Sequence, residues 1–170
     1  AYAKVADIKP QSGVKQIDRL LSNAGIDLSQ VLKSWVKLVV GVRKEIVIAL
    51  DWTDFDKDDH TTLCAYLVTR HGRATPLAWK TFKKSALKDM RNDHEYELIE
   101  WLHAALDEEV KVTLLADRGF GDHKLYDFLQ LPGWDFVIRF RGLILVENAA
   151  GETRPADAWV PTSVDGHRDP

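Results

Sequence analysis

Two short apolar runs, each closed by an aspartate, set the tightest limit on what this chain can fold into: IVIAL at residues 46–50 before Asp51, and VKVTLLA at residues 110–116 before Asp117. The continuous apolar run at 46–50 fits a strand covered on both faces better than a surface helix, whose apolar positions recur every three or four residues, and 110–116 reads as another apolar strand. Strands of that kind belong to sheets with helices laid on them, and such sheets carry their ligand sites at the carboxyl ends of strands. Both aspartates are expected to end their strands there.

The remaining pattern supports an α/β domain. Helical spacing over 12–23 puts Val14, Ile17, Leu20 and Leu21 on one face, and over 28–39 it collects Leu28, Val31, Leu32, Trp35, Leu38 and Val39 before Gly41. These two helices are expected to pack as a hairpin. Residues 63–69 and 74–82 read as a second and third strand linked through His71-Gly72-Arg73, and Pro76, which cannot donate to a ladder, marks the third as an edge. Asn92 with Glu95 three residues on has the spacing of a capping box, opening a helix that buries Leu98, Ile99, Leu102, Ala105 and Leu106. After the second apolar run, Asp122 can cap a short helix stopped by Pro132-Gly133, and residues 135–140 form a fifth strand. Right-handed crossovers then put the fourth strand beside the first, in a mixed five-stranded sheet flanked by helices. Beyond Gly142 the pattern changes to a hairpin turning at Ala150-Gly151. The chain thus divides into a helical region at 1–42, an α/β core at 43–141 and a β-rich start at 142–170.

Composition removes several alternatives. The chain has 170 residues, 45% of them hydrophobic and 29% charged, as expected of one soluble globular domain. No stretch approaches the ~20 apolar residues of a membrane span, and no leader pattern opens the chain, which reads as cytosolic. The start at Ala1, without Met, and the stop at Pro170 read as the ends of an excised piece. Cys64 is the sole cysteine, which excludes an internal disulfide and a cysteine zinc cage. The six His show no HExxH spacing, Gly119-Phe120-Gly121 lacks the Lys-Ser/Thr of a phosphate loop, and there is no GxSxG elbow. Asp54, Asp56, Asp58 and Asp59 lack the glycine and terminal glutamate of a calcium loop. A net charge of −3 gives no overall basic footprint, although nucleic-acid binding requires only a local basic face.

Carboxylates at the ends of apolar strands are costly to desolvate without a positive partner, and a divalent cation is the strongest one. Either aspartate alone could be a turn former or a helix cap; two at adjacent strand ends would repel each other without a cation between them. Hard oxygen donors favour Mg²⁺ or Mn²⁺, and paired ions about 3.5–4 Å apart can activate water and stabilise a leaving oxygen in phosphodiester cleavage.

The phrases ALDWTDF around Asp51 and LLADRGFGD around Asp117 resemble the first and second aspartate motifs of bacterial insertion-sequence transposases of the DDE superfamily, which have a ribonuclease-H-like core. The resemblance covers roughly residues 12–141. It implies that Asp51 and Asp117 are catalytic metal ligands for Mg²⁺ or Mn²⁺, that the strand order is 3-2-1-4-5, and that the β-rich start after Gly142 opens an insertion. It also implies DNA ends and target as partners, a homodimer on DNA and a bacterial, nucleoid-associated setting. The family's third carboxylate lies in a Tyr-x-x-Arg-x-x-x-Glu helix, and no Tyr here begins that pattern. This chain alone is therefore expected to be an incomplete, inactive site.

Other residues admit two readings each. Arg118 could contact a phosphate or hold Asp117 in an ion pair. Lys80, Lys83, Lys84, Lys88 and Arg91 form either a solvated link or a DNA-backbone contact. Trp52 and Trp134 could stack on a base or pack in the core. Beside the transposase reading stand a ribonuclease-H-like nuclease that cuts without joining, and a remnant that binds DNA or a partner without chemistry.

Overall fold

The computed structural model describes residues 2–69, 72–120, 123–130, 132–139 and 144–159. His71, Gly121, Asp122, Phe140 and Gly142, which figured in the expectations above, lie outside the described residues. Three helices come first: α1 (Tyr2–Val5), α2 (Pro10–Leu21) and α3 (Leu28–Val40). Then follow β1 (Glu45–Phe55), β2 (His60–Val68), β3 (Ala74–Lys83), α4 (Arg91–Ala105), β4 (Lys111–Ala116), α5 (His123–Gln130) and β5 (Asp135–Ile138). A separate hairpin of β6 (Leu145–Glu147) and β7 (Thr153–Pro155) turns at Asn148, whose Oδ1 accepts from the backbone N–H groups of Ala150 and Glu152.

The sheet order is β3-β2-β1-β4-β5, with β2 antiparallel to its neighbours and β4 and β5 parallel to β1. This is the ribonuclease-H-like arrangement that the aspartate phrases implied. β3 is an edge, as Pro76 required, and the β2–β3 register slips between Ala65 and Tyr66, beside the proline.

One face of the sheet carries the core. Along β1 the side chains of Ile46, Ile48 and Leu50 are buried, and they join Val36 and Val40 of α3, Leu98, Ile99 and Leu102 of α4, and Leu125 and Leu129 of α5. Each such aliphatic side chain contributes roughly 1.5–3 kcal/mol on burial. On the opposite face Val47 and Ala49 of β1, Thr113 and Leu115 of β4 and Tyr66 of β2 are only half-buried, and Val137 of β5 is 63% exposed. The apolar run of β1 suggested a strand covered on both faces; within the described residues the helices cover one.

Three further expectations need correction. β1 does not end at Asp51 but runs to Phe55, because β2 starts at His60 and keeps pairing with it through Phe55 opposite His60. Only the β4 ladder stops there, at Leu50 opposite Ala116. The N-cap of α4 is Met90, with no side-chain cap bond, so Asn92 lies inside the first turn; Glu95 is drawn instead into the core, where it accepts from the indole of Trp52. Finally, α2 and α3 do not bury each other's apolar faces: Val14, Ile17, Leu20 and Leu21 stay exposed on α2. α3 is taken by the sheet, since Val36 and Val40 enter the core and Trp35 Nε1 donates to the carbonyl of Pro76 on β3 at 2.8 Å. Asp27 caps α3, its side chain accepting from Gln30 N at 3.1 Å.

Candidate functional site

The two aspartates meet at one rim of the sheet through strand register. Leu50 of β1 faces Ala116 of β4 in parallel pairing, so Asp51 and Asp117 are the next residues on neighbouring chains. Adjacent strands lie about 4.8 Å apart, and in a parallel pair residues in register project to the same side. Alternation puts Asp51 on the Val47 and Ala49 side, away from the packed helices. Asp117 follows the last residue of β4 at the same rim, where the chain leaves the strand for a turn. Both residues are exposed.

Their surroundings differ. Asp51 still belongs to a strand and lies opposite Cys64 of β2; its Oδ2 accepts from the Thr53 hydroxyl at 3.2 Å. Its charge is felt across the ladder: burial pushes the Cys64 thiol up, with the Asp51 carboxylate adding to the shift, and Tyr66 is raised to about 12, chiefly by its hydrogen bond with Cys64. Asp117 begins the 3-10 turn formed by Arg118–Phe120, its carbonyl accepting from Phe120 N at 3.0 Å. The buried Phe120 anchors that turn in the core, leaving Asp117 and Arg118 in solvent.

The cation beside Asp117 is not Arg118. It is Arg139, whose guanidinium lies 3.9 Å from the Asp117 carboxylate with both side chains well exposed. Arg139 follows β5, and its backbone N–H donates to the Ala116 carbonyl at 3.1 Å, which continues the β4–β5 ladder to the same rim. Sequence reasoning missed it, yet a signal existed: an arginine directly after a strand adjacent to β4 must emerge beside Asp117. Arg118 itself is exposed, so the ion-pair reading of that residue gives way to one in which its side chain is available.

The basic residues after β3 are not uniformly available. Lys84 Nζ sits 2.7 Å from Asp54 and 2.6 Å from Asp56, and Arg91 lies 3.1 Å from Asp54, so both are engaged with the tip of the β1–β2 hairpin. Lys80 pairs with Glu97 at 2.9 Å. Lys83 and Lys88 are exposed, and Lys84, Lys88, Arg91 and Asn92 line a shallow depression of about 610 Å³. Trp134 is buried with 7% exposure, as its packing alternative required. Trp52 is half-buried on the helix side, with Phe82 at 5.8 Å and the Arg91 guanidinium 4.8 Å over its ring. The indoles are packed, not presented.

Among the described residues no group of three or more His, Cys, Asp or Glu is gathered so as to hold an ion; the rim supplies two carboxylates. Two hard oxygen donors with solvent on one side fit part of a Mg²⁺ or Mn²⁺ shell. A concavity of about 750 Å³ opens at the other end of the strands, around Arg43, Glu45, Lys111 and Asp135, and contains neither aspartate.

No protein-family model and no curated protein sequence matches the chain. Among solved structures it is similar to Marinitoga piezophila Argonaute in complex with 5′ OH guide RNA, with 16% identity and a TM-score of 0.31 over 65% of this chain and 20% of that one. The chain spans a fifth of that protein, and a likeness of this degree carries no function across. What the fold and register define by themselves is a mixed α/β domain with the ribonuclease-H-like strand order β3-β2-β1-β4-β5 and two exposed aspartates at one rim of its sheet. No helix among the described residues is long and apolar enough to cross a membrane.

Proposed function

We propose that this domain is the front part of a DNA transposase catalytic core, in which Asp51 and Asp117 are two of the three acidic ligands for Mg²⁺ or Mn²⁺. The single observation behind this is the register Leu50 opposite Ala116, which makes Asp51 and Asp117 the next residues on neighbouring chains at one rim of the sheet. The aspartate phrases that resemble insertion-sequence transposases supply the choice of reaction.

In that reaction water attacks a phosphodiester at the transposon end and the P–O3′ bond breaks; the freed 3′-hydroxyl then attacks a phosphodiester of the target, whose own P–O3′ bond breaks to release a target 3′-hydroxyl. The bound cation would lower the pKa of water and neutralise charge on the leaving oxygen. The chain's own part is geometric and electrostatic. Asp51 and Asp117 would hold the ions, with Thr53 orienting the Asp51 carboxylate. Arg118 and Arg139 offer exposed guanidinium groups to a backbone phosphate beside them. Lys83, Lys84, Lys88 and Arg91 would extend backbone contact along the rim of α4, Lys88 most freely. Two copies would pair two DNA ends, and the third carboxylate would come from a helix outside this chain.

The test is a Mn²⁺ titration of this chain followed by electron paramagnetic resonance. Asp51→Asn and Asp117→Asn should each weaken binding by about tenfold or more. Unchanged affinity in both would remove the centre. Cleavage and joining of DNA by a longer protein carrying the missing glutamate helix would then distinguish a transposase from an enzyme that only cuts.

A further inference from the structure

β1 is held from both sides up to Leu50, but beyond it the β4 ladder has ended and Asp51 is supported by β2 alone. A metal ligand in that position requires another constraint on its backbone. The next residue supplies one: Trp52 turns to the opposite face, and its Nε1 donates to Glu95 Oε1 at 2.7 Å. Glu95 is 4% exposed, in the second turn of α4, between Arg91 at the helix start and the buried Leu98 and Ile99. Phe82 of β3 and the guanidinium of Arg91 bracket the indole. An acidic side chain this deep in a core is expensive unless its hydrogen bonds are fixed, and an indole N–H to a carboxylate is a strong, directional one.

We infer that Glu95 is a positioning residue for the Asp51 carboxylate, acting through Trp52: the hydrogen bond across the sheet locks β1 one residue past the end of its parallel ladder and so sets where Asp51 aims. The inference rests on the proposed metal role of Asp51. Neither Glu95 nor Trp52 reaches the open face, so neither is a ligand. Their contribution is the rotation and height of the strand on which the ligand stands, as outer hydrogen bonds commonly do for metal ligands.

The experiment measures Mn²⁺ affinity by electron paramagnetic resonance on this chain, with melting temperature recorded for every variant. Asp51→Asn sets the full effect. Trp52→Phe keeps the ring and removes the donor, Glu95→Ala removes the acceptor, and Glu95→Gln keeps an acceptor of the same shape. The first two should weaken Mn²⁺ binding by about tenfold, and adding Trp52→Phe to Glu95→Ala should weaken it no further, because the indole has then already lost its acceptor. Glu95→Gln should stay within about twofold, since a neutral acceptor still holds the indole. Leu102→Val, a core change on α4 away from this link, should lower the melting temperature and leave Mn²⁺ binding alone. Should Glu95→Ala fail to fold, Trp52→Phe and Glu95→Gln still carry the comparison.

Wild-type affinity in Trp52→Phe, while Asp51→Asn loses the ion, would overturn the positioning role and leave the metal centre standing. Equal loss in Glu95→Gln and Glu95→Ala would overturn it as well, since charge would then matter and not the hold on Trp52. No effect of Asp51→Asn would instead remove the centre itself.

Discussion

β1 carries two carboxylates three residues apart that folding treats in opposite ways. Asp54 lies on the helix side of the strand at the hairpin tip, where Lys84 reaches it at 2.7 Å and Arg91 at 3.1 Å; these partners, led by the hydrogen bond from Lys84 and then one from Thr61, hold its pKa down to about 2. Asp51 lies on the open side at the rim shared with Asp117, and among the described residues its bond is to a neutral hydroxyl, that of Thr53. Among the described residues, then, one β1 aspartate is paired with two cations and the other with a hydroxyl. A carboxylate already neutralised by its own fold has a structural role; under the proposed reading, the exposed Asp51 instead takes its charge partner from a bound ion.

The sharpest way to break that contrast is to remove each charge separately. Asp51→Asn should lower Mn²⁺ affinity by about tenfold or more, whereas Asp54→Asn should leave it within about twofold. Paramagnetic broadening of backbone amide signals around residues 51 and 117 in wild type, retained in Asp54→Asn and lost in Asp51→Asn, would show the same thing residue by residue. If Asp54→Asn loses the ion as strongly, the hairpin tip and the rim are one site and the distinction drawn here is void.

Stability should show the reverse order. Asp54 is depressed in the folded chain, so its contribution is present above the unfolded value of 3.8 and is lost as pH falls through about 2. Because the pair is substantially exposed, we expect about 1 kcal/mol from it, not the full value of the shift. Urea melts at pH 7 should therefore place Asp54→Asn about 1 kcal/mol below wild type, with the gap closing between pH 4 and pH 2. A gap that persists unchanged at pH 2 would mean that packing around Lys84, not charge, is what Asp54 maintains. Asp51→Asn should change stability by only a few tenths of a kcal/mol, and toward greater stability, since it relieves repulsion with Asp117.

How much of this was visible beforehand follows from how local each cause is. The adjacency of Asp51 and Asp117 was legible because apolar runs, crossover handedness and strand-end chemistry all act through backbone geometry. Pro76 declared β3 an edge for the same reason, and Ala150-Gly151 declared the last hairpin. The continuation of β1 through Trp52 and Asp54 was not legible. A polar residue on the helix side of a strand reads as a loop until Lys84 and Arg91, thirty or more positions away, are known to neutralise it. Asn92 and Glu95 had the right spacing for a cap, but spacing cannot reveal that Trp52 competes for the glutamate. The spacing of α2 and α3 showed that each had a face to bury, and nothing in it said that the sheet would take α3. At the site, Arg118 is next to Asp117 in sequence, but the cation paired with it in space, Arg139, comes from the end of β5, which local spacing does not reveal.

The smallest effect expected concerns the basic residues, and it divides along the same line between committed and uncommitted charge. Lys84 and Arg91 are held by Asp54 and Asp56, so a phosphate must compete with those carboxylates for them, whereas Lys83 and Lys88 face solvent. Each phosphate neutralised by a lysine steepens the salt dependence of binding to duplex DNA by close to one unit in a log–log plot. Lys88→Gln should therefore weaken non-specific duplex binding by about twofold to threefold and reduce that slope by nearly one, while Lys84→Gln should move the slope less and the melting temperature more. Fluorescence anisotropy across a salt series on the two variants measures both. Equal slopes in wild type and Lys88→Gln would place the DNA path elsewhere, leaving Arg118 and Arg139 at the rim as the basic groups to pursue.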